Sequence, residues 1–282
     1  MQPTTVICKA CGHQFTGKYC NACGEKVYTE HDRKVAHFFE EGFHFVTHFE
    51  GKFFTTIKTL FTRPGKLSED YCTGIRKSYF KPLSLFLLLV VIYLLFPVFE
   101  GLNMRLYYHT HHNLYGGYAM QKARDVMIHT GFTDEQLTKA FHAKSEKVSK
   151  FLLAVILPLT ALSFWALTFK KRKYFFDQMV FATEVNSVYL IWGFMVLPLL
   201  LVLTEWVFHL ITGQYFQASD GPVGLVLYLV MALYVALAAG RFYKLKTWPS
   251  VLLGIGFYFI HFIVIQVVYK FLLFTLVINQ IH

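Results

Sequence analysis

Five long apolar runs constrain the fold of this chain more than any other feature of its sequence. A membrane-spanning helix needs about 20 residues, because each residue adds about 1.5 Å across about 30 Å of hydrocarbon. Only helices and closed barrels satisfy their own backbone in lipid. The runs therefore predict about five transmembrane helices. They are 82–99, 151–169, 185–211, 223–239 and 251–278.

The composition excludes the soluble and the disordered classes. Hydrophobic residues make up 55% of the 282 residues and charged residues only 16%. A soluble domain carries about 25% charged residues, and a disordered chain is far less apolar than this one. The 30 Phe and 17 Tyr suit lipid and its interface. The chain is expected to be a polytopic membrane protein.

The positions of the basic residues predict its orientation. The net charge is +10, and many of the 27 Lys and Arg residues lie in clusters beside apolar runs, at 76–81, 170–173 and 241–246. A cytosolic N-terminus places all three clusters inside, as the positive-inside rule requires. The lysines of the longer loop 100–150 then lie outside, where they constrain topology less. We therefore predict a cytosolic N-terminus and an outer C-terminus. The basic clusters are interpreted as topology signals rather than as a nucleic-acid surface.

Four cysteines near the N-terminus have the spacing of a metal site. They form two Cys-x-x-Cys-Gly turns separated by eight residues: Cys8, Cys11, Cys20 and Cys23. Each turn can aim two sulfurs at one ion, so the set predicts a closed tetrahedral site with one structural Zn²⁺. Disulfides and a redox dithiol are the alternatives. Thiolate ligation also favours a reducing compartment, which is the cytosol.

These patterns together predict an all-α polytopic membrane protein with a small N-terminal four-cysteine zinc ribbon. The expected domains are the ribbon at 1–30, an amphipathic helix and basic connector at 31–81, and the transmembrane domain at 82–282. Residues 35–62 are amphipathic, so this helix is expected in the membrane interface or against the bundle. In outer loop 100–150, a capping box at Thr133 predicts a helix that begins at Asp134 and continues towards the second span.

The polar face of the amphipathic helix contains a row of histidine and glutamate. These residues recur every three or four positions, so they are neighbours on a helix. They could bind a second metal ion or titrate near neutral pH. A solvated helix face explains them equally simply and is favoured. They are His37, Glu41, His44 and His48.

A second candidate site lies inside the predicted spans. Glu205 and Lys270 are expected at a similar depth near the outer surface, where an ion pair would lower the cost of each charge. His209 is one turn beyond Glu205, and Glu100 ends the first span on the same side. These four residues form a candidate outward-facing polar pocket. Snorkelling towards the interface is the simpler alternative.

The zinc ribbon at 1–30, called the head below, and the connector resemble a known family. The segments are CKACGHQFTGKYCNACGEK and TLFTRPGKLSEDYCTGIRKSYFKP, with matching positions at the four cysteines, Arg63-Pro64-Gly65, Tyr71, Gly74, Arg76, Tyr79 and Pro82. The chain resembles domain-of-unknown-function family 3667, bacterial inner-membrane proteins with an N-terminal zinc-ribbon head. The resemblance implies a bacterial inner membrane and an unassigned activity, with no catalytic residues to transfer. We also expect Arg76 and Lys77 to contact anionic lipid headgroups.

No catalytic motif is evident, so an enzyme is not favoured. The sequence lacks a nucleophile elbow, a P-loop, a dinucleotide fingerprint and a metalloprotease motif. The favoured interpretation is a membrane protein whose ribbon docks a cytosolic protein or braces the bundle. The alternative is a small-solute or ion transporter that uses the pocket around Glu205 and Lys270. Nucleic acid is not favoured as a partner, because the ribbon has few basic residues.

Overall fold

The computed structural model describes residues 5–27, 52–95, 104–168, 171–172, 174–214 and 220–281. Strands β1 (Thr5–Ile7) and β2 (Gln14–Thr16) form an antiparallel hairpin at the N-terminus, with Val6 opposite Phe15. The remaining elements are helices. They are α1 (Phe53–Thr62), α2 (Lys66–Thr73), α3 (Pro82–Leu95), α4 (Leu106–Thr110), α5 (Gly116–Thr130), α6 (Asp134–Thr168), α7 (Phe175–Ile191), α8 (Leu197–Thr212), α9 (Asp220–Phe242), α10 (Thr247–Ile263) and α11 (Lys270–Ile278).

In two places, a π-helical segment joins two successive helices into one continuous helix. The π-helical segment Trp192–Val196 joins α7 to α8, and the segment Val264–Tyr269 joins α10 to α11. Contacts divide the chain into two units, which are 1–95 with 161–258 and 96–160 with 259–282. The first unit contains the head, the connector and most of the apolar helices.

Three helices are long and apolar enough to cross a membrane. They are Phe175–Thr212, Val223–Phe242 and Thr247–Ile278, and shorter apolar helices cover Pro82–Leu95 and Val155–Thr168. All five predicted runs thus contain an apolar helix. Large apolar side chains on the outside of these helices, such as Trp206 at 59% exposure, suit lipid rather than water. The predicted class, a helical integral membrane protein, is confirmed.

Helix α7 begins ten residues before the predicted span at 185. Nearly every residue of α7 is buried, including the polar residues near its start. Gln178 donates a hydrogen bond to Thr168 Oγ1 at 3.2 Å, and the Tyr243 hydroxyl donates to Gln178 Oε1. Because protein groups satisfy these polar side chains, the helix extends through a stretch that hydropathy alone excluded.

In the described part of the predicted amphipathic unit, α1 packs against the protein. Leu60 is fully buried, and the backbone N–H of Phe80 donates to Thr56 Oγ1 at 2.9 Å. The rings of Phe53 and Phe80 meet edge to face at 5.7 Å. This part of the helix therefore packs against the end of the connector, and its placement in the membrane interface or against the bundle stays a prediction. The histidine and glutamate row at 37–48 lies outside the described residues.

The predicted capping box is present at the start of α6. Thr133 donates its N–H to Gln136 Oε1 at 2.9 Å, and Gln136 donates its N–H to Thr133 Oγ1 at 3.3 Å. The helix then runs without a break to Thr168, so the helix predicted in loop 100–150 continues into the second apolar run as expected.

The second unit has an aromatic core of its own. His109 on α4 is fully buried, and its ring lies near those of Phe141 on α6 and Phe274 on α11. Its Nδ1 is hydrogen-bonded to the Tyr115 hydroxyl at 2.9 Å. Burial, reinforced by the positive charge of Lys270, lowers the pKa of His109 to about 4. The imidazole is therefore neutral at physiological pH.

Candidate metal site and its attachment to the helices

The four predicted cysteines converge on one point. Their sulfur atoms all lie within 4.8 Å of one another, with 3.5 Å between Cys8 and Cys23 and 3.7 Å between Cys11 and Cys20. Ligands about 2.3 Å from a tetrahedral ion lie about 3.8 Å apart, whereas disulfide sulfurs lie about 2.05 Å apart. All five cysteines are free thiols. The arrangement thus fits one tetrahedral ion and contains no disulfide.

Two equivalent turns place these sulfurs. In each turn the glycine after the second cysteine donates its N–H to the carbonyl oxygen of the first, Gly12 to Cys8 at 2.9 Å and Gly24 to Cys20 at 2.7 Å. Both glycines have left-handed φ angles, +75° and +71°. Residues other than glycine rarely adopt this backbone conformation, so a glycine after the second cysteine allows such a turn to close.

The core of the head is too small to stabilise it without a ligand. Within residues 5–27, its buried cluster consists of Cys8, Phe15 and Cys20, with a few half-buried apolar neighbours. A core of this size rarely offsets the loss of chain entropy, and small domains commonly rely on a structural metal. His13 is exposed and does not join the ligand group formed among the described residues. The four thiols alone fit a closed metal site.

Glu25 attaches the head to the connector, a role that the sequence analysis missed. Its carboxylate is 6% exposed and accepts the backbone N–H of Arg76 at 3.2 Å and that of Lys77 at 3.0 Å. Lys9 Nζ, also in the head, donates to the carbonyl oxygen of Thr73, the last residue of α2, at 2.9 Å. The head is thus fixed to the end of α2 and to the turn that follows it.

Arg76 points into the protein. Its guanidinium lies 4.2 Å from the centre of the Tyr71 ring and 5.4 Å from that of Phe176, and its Nε donates to the Tyr71 carbonyl oxygen at 3.2 Å. Burial lowers the pKa of Arg76 to about 9, against the opposing effect of the negative charges of Glu25 and Asp177. Lys77 is exposed. Contact of Arg76 and Lys77 with lipid headgroups stays a prediction.

Glu184 on α7 holds the other end of α2, and the sequence analysis missed it as well. Its carboxylate is 1% exposed. One oxygen accepts the N–H of Gly65 at 2.7 Å and the hydroxyl of Tyr234 at 2.9 Å. The other oxygen accepts the N–H of Ser68 at 2.8 Å and its hydroxyl at 2.5 Å. The carboxylate thus satisfies N–H groups at the start of α2, where a negative charge is also favoured by the helix dipole.

The corner Arg63-Pro64-Gly65 is pressed against α9. Gly65 has a φ of +78°, and a Cβ atom there would lie 2.2 Å from the Ala238 carbonyl oxygen. Arg241 Nη1 donates to the Pro64 carbonyl oxygen at 2.6 Å. The sequence marked this corner as a helix breaker, and the packing shows that its third residue must be glycine.

The residues of the predicted polar pocket are distributed between the two units. Glu205 and His209 lie on α8 in the first unit. Lys270 lies at the start of α11 in the second unit, where its Nζ donates to Gln266 Oε1. Glu100 lies outside the described residues. The ion pair between Glu205 and Lys270 stays a prediction.

Residues 50–94 match the model of a family described as a protein of unknown function, DUF3667. This match confirms the resemblance to that family over the connector and the start of the first apolar run. The matched segment includes the Arg63-Pro64-Gly65 corner, α2 and the turn at Arg76, which is the part of the chain that Glu25 and Glu184 hold. No curated protein and no solved structure matches the chain.

Proposed function

We propose that this chain is a non-enzymatic bacterial inner-membrane protein whose cytosolic head binds one structural zinc ion and braces the connector against the membrane helices. The observation that carries the proposal is the Glu25 carboxylate. It follows the ligand Cys23 by two residues and accepts both N–H groups of the turn at Arg76 and Lys77. Zinc would fix the position of Glu25, and Glu25 would fix the connector.

The donor set supports zinc as the ion. Four thiolates in a tetrahedral arrangement are typical of structural zinc sites. A complete protein ligand set leaves no coordination position for a substrate, so the ion would supply folding energy rather than catalysis. In the loaded head, Cys8, Cys11, Cys20 and Cys23 would each contribute one thiolate.

A cytosolic location is supported by two independent arguments. Thiolate ligands persist in a reducing compartment. The basic clusters beside the apolar runs favour the same side for the head. In this orientation the exposed surface of the head is also available to a cytosolic protein. Binding such a partner would be a second role of the head, beside bracing the connector.

Zinc content and thermal stability of the detergent-purified protein test the proposal together. We expect one zinc per chain in the parent and in Glu25→Gln, and none in Cys8→Ser/Cys20→Ser. Both variants should unfold at a lower temperature than the parent, because each one breaks the brace. Glu135→Gln is the matched control, since Glu135 is an exposed glutamate whose contact is a surface ion pair with Lys139.

Two results would contradict the proposal. If the parent contains no zinc, the four cysteines are not a zinc site. If Cys8→Ser/Cys20→Ser lacks zinc but unfolds at the same temperature as the parent, the cysteines bind zinc but the head does not brace the connector.

A further inference from the structure

Helix α2 is held at both of its ends by carboxylates that belong to different parts of the molecule. Glu184 on a membrane helix accepts N–H groups at the start of α2, from Gly65 and Ser68. Glu25 in the head accepts N–H groups of the turn after α2. The helix spans only about 12 Å, given its eight residues and a rise of about 1.5 Å per residue. It is therefore a short strut between the cysteine site and a buried carboxylate.

The strut is packed and hydrogen-bonded along its length. Leu67, Tyr71 and Cys72 are buried. Asp70 accepts hydrogen bonds from Lys66 Nζ and from the Tyr79 hydroxyl, both at 2.7 Å. A displacement at one end is therefore carried to the other end rather than absorbed within the helix.

The strut is also bounded by two points at which the backbone can turn. Gly65 precedes α2 with a φ of +78°, and Gly74 follows it with a φ of +105°. Packing against Ala238 holds the first glycine in place. The second glycine lies between the end of α2 and the turn that Glu25 binds. Glu184 and Glu25 therefore hold the chain where it enters α2 and just after it leaves α2.

The hydrogen bonding of Glu184 depends on the presence of α2. With α2 in place, three of the four hydrogen bonds to the carboxylate come from Gly65 and Ser68, and the fourth comes from Tyr234. Without α2, a buried carboxylate would keep only the tyrosine. An unpaired buried charge is strongly unfavourable, so release of α2 obliges the surroundings of Glu184 on α7 and α9 to rearrange or admit water.

We propose that zinc occupancy of the head is coupled through α2 to the Glu184 carboxylate, so that loss of the ion loosens the contact of Gly65 and Ser68 with Glu184. The inference rests on the proposed function, because it requires the head to bind zinc. It adds a regulatory role, in which the zinc supply of the cytosol sets the state of a buried anion between membrane helices. By linkage, cutting the contact at Glu184 must weaken zinc binding by the same factor.

Hydrogen exchange measured by mass spectrometry tests the coupling on the full-length protein in detergent. The N–H groups of Gly65 and Ser68 report directly on the contact with Glu184. We expect removal of zinc by a chelator to raise the exchange rate of a peptide covering 63–73 about tenfold, within the range of ordinary coupling. Glu25→Gln should retain zinc and show the same increase, whereas Glu135→Gln should behave as the parent.

The reciprocal arm measures zinc affinity by competition with a chelator. Ser68→Ala removes one donor to Glu184 and keeps the backbone, so it is milder than Glu184→Gln, and it lies at the end of α2 opposite the head. We expect Ser68→Ala to raise the Kd for zinc several-fold and Glu184→Gln to raise it about tenfold. Thr62→Ala removes an exposed hydroxyl that donates to the Lys58 carbonyl oxygen within α1, so it is the matched control and should leave the Kd unchanged.

The outcomes separate the inference from the proposed function. If chelation raises exchange in the turn at 75–77 and leaves 63–68 unchanged, the head braces the connector and the coupling is wrong. An unchanged Kd in both Ser68→Ala and Glu184→Gln overturns the coupling in the same way. If the parent holds no zinc, or chelation changes exchange only within the head, the proposed function itself fails.

Discussion

The N–H of Gly65 donates to the carboxylate of Glu184 at 2.7 Å, although the two residues are 119 positions apart in the sequence. This bond joins the segment that matches the family to a helix outside it. Gly65 has no side chain to keep it away from α9, so its N–H can reach a carboxylate that is almost fully buried. The corner before α2 is thus a docking point on the membrane helices as well as a turn.

Gly65→Ala should be strongly destabilising. The new methyl group would meet the Ala238 carbonyl oxygen at 2.2 Å, and the φ of +78° would be strained. Strain and overpacking each contribute about 1–3 kcal/mol, so we expect a loss of about 3 kcal/mol in the free energy of unfolding. Equilibrium unfolding in a mild detergent measures this loss.

Gly131→Ala separates the two contributions. Gly131 has nearly the same φ, +72°, but in the part of the chain that the structure describes no residue beyond its immediate neighbours lies within 4 Å of the position of a Cβ atom. Its loss should be about 1 kcal/mol, from backbone strain alone. Equal losses in the two variants would show that contact with α9 does not constrain Gly65.

Tyr234→Phe should destabilise the first unit without unfolding it. The variant removes one of four hydrogen bonds to the Glu184 carboxylate and leaves a buried charge less well satisfied. Such a loss costs about 1–3 kcal/mol. Thermal unfolding checks the prediction, with Tyr107→Phe at an exposed position as the control. A variant as stable as the parent would mean that the three donors from Gly65 and Ser68 are sufficient.

The sequence predicted those features that depend on local spacing. The four cysteines, the capping box at Thr133 and the apolar helices each follow from residues close together in the chain. Glu25 and Glu184 escaped prediction because their partners lie between 50 and 119 positions away, and a lone glutamate carries no spacing signal. Glu184 also lies one residue before the predicted span at 185–211, so the hydropathy boundary removed it from consideration.

The predicted pair of Glu205 and Lys270 calls for a double-mutant cycle. If the two charges form an ion pair, Glu205→Gln should destabilise the detergent-solubilised protein, and Lys270→Gln should add little on that background. Additive losses would contradict the pair. Reconstituted vesicles test the transport alternative separately, since a solute or ion flux abolished by Glu205→Gln would favour a transporter.

The second unit should lose stability as the pH falls below neutral. The pKa of His109 is about 4 in the folded protein, whereas an unfolded histidine has a pKa of about 6.5. Between these values the unfolded chain binds a proton that the folded chain does not, so acid favours unfolding. The stability associated with neutral His109 is complete above pH 6.5 and decreases towards pH 4. From pH 7.5 to pH 5 the expected loss is about 2 kcal/mol.

Comparison of the parent with His109→Phe isolates this contribution. Phenylalanine fits the aromatic surroundings of Phe141 and Phe274 and does not titrate. The variant should be less stable than the parent at pH 7.5, because the Tyr115 hydroxyl loses its partner, but it should lose less stability on acidification. Equilibrium unfolding in detergent at both pH values measures the two differences. Parallel pH profiles of parent and variant would show that another group causes the acid sensitivity.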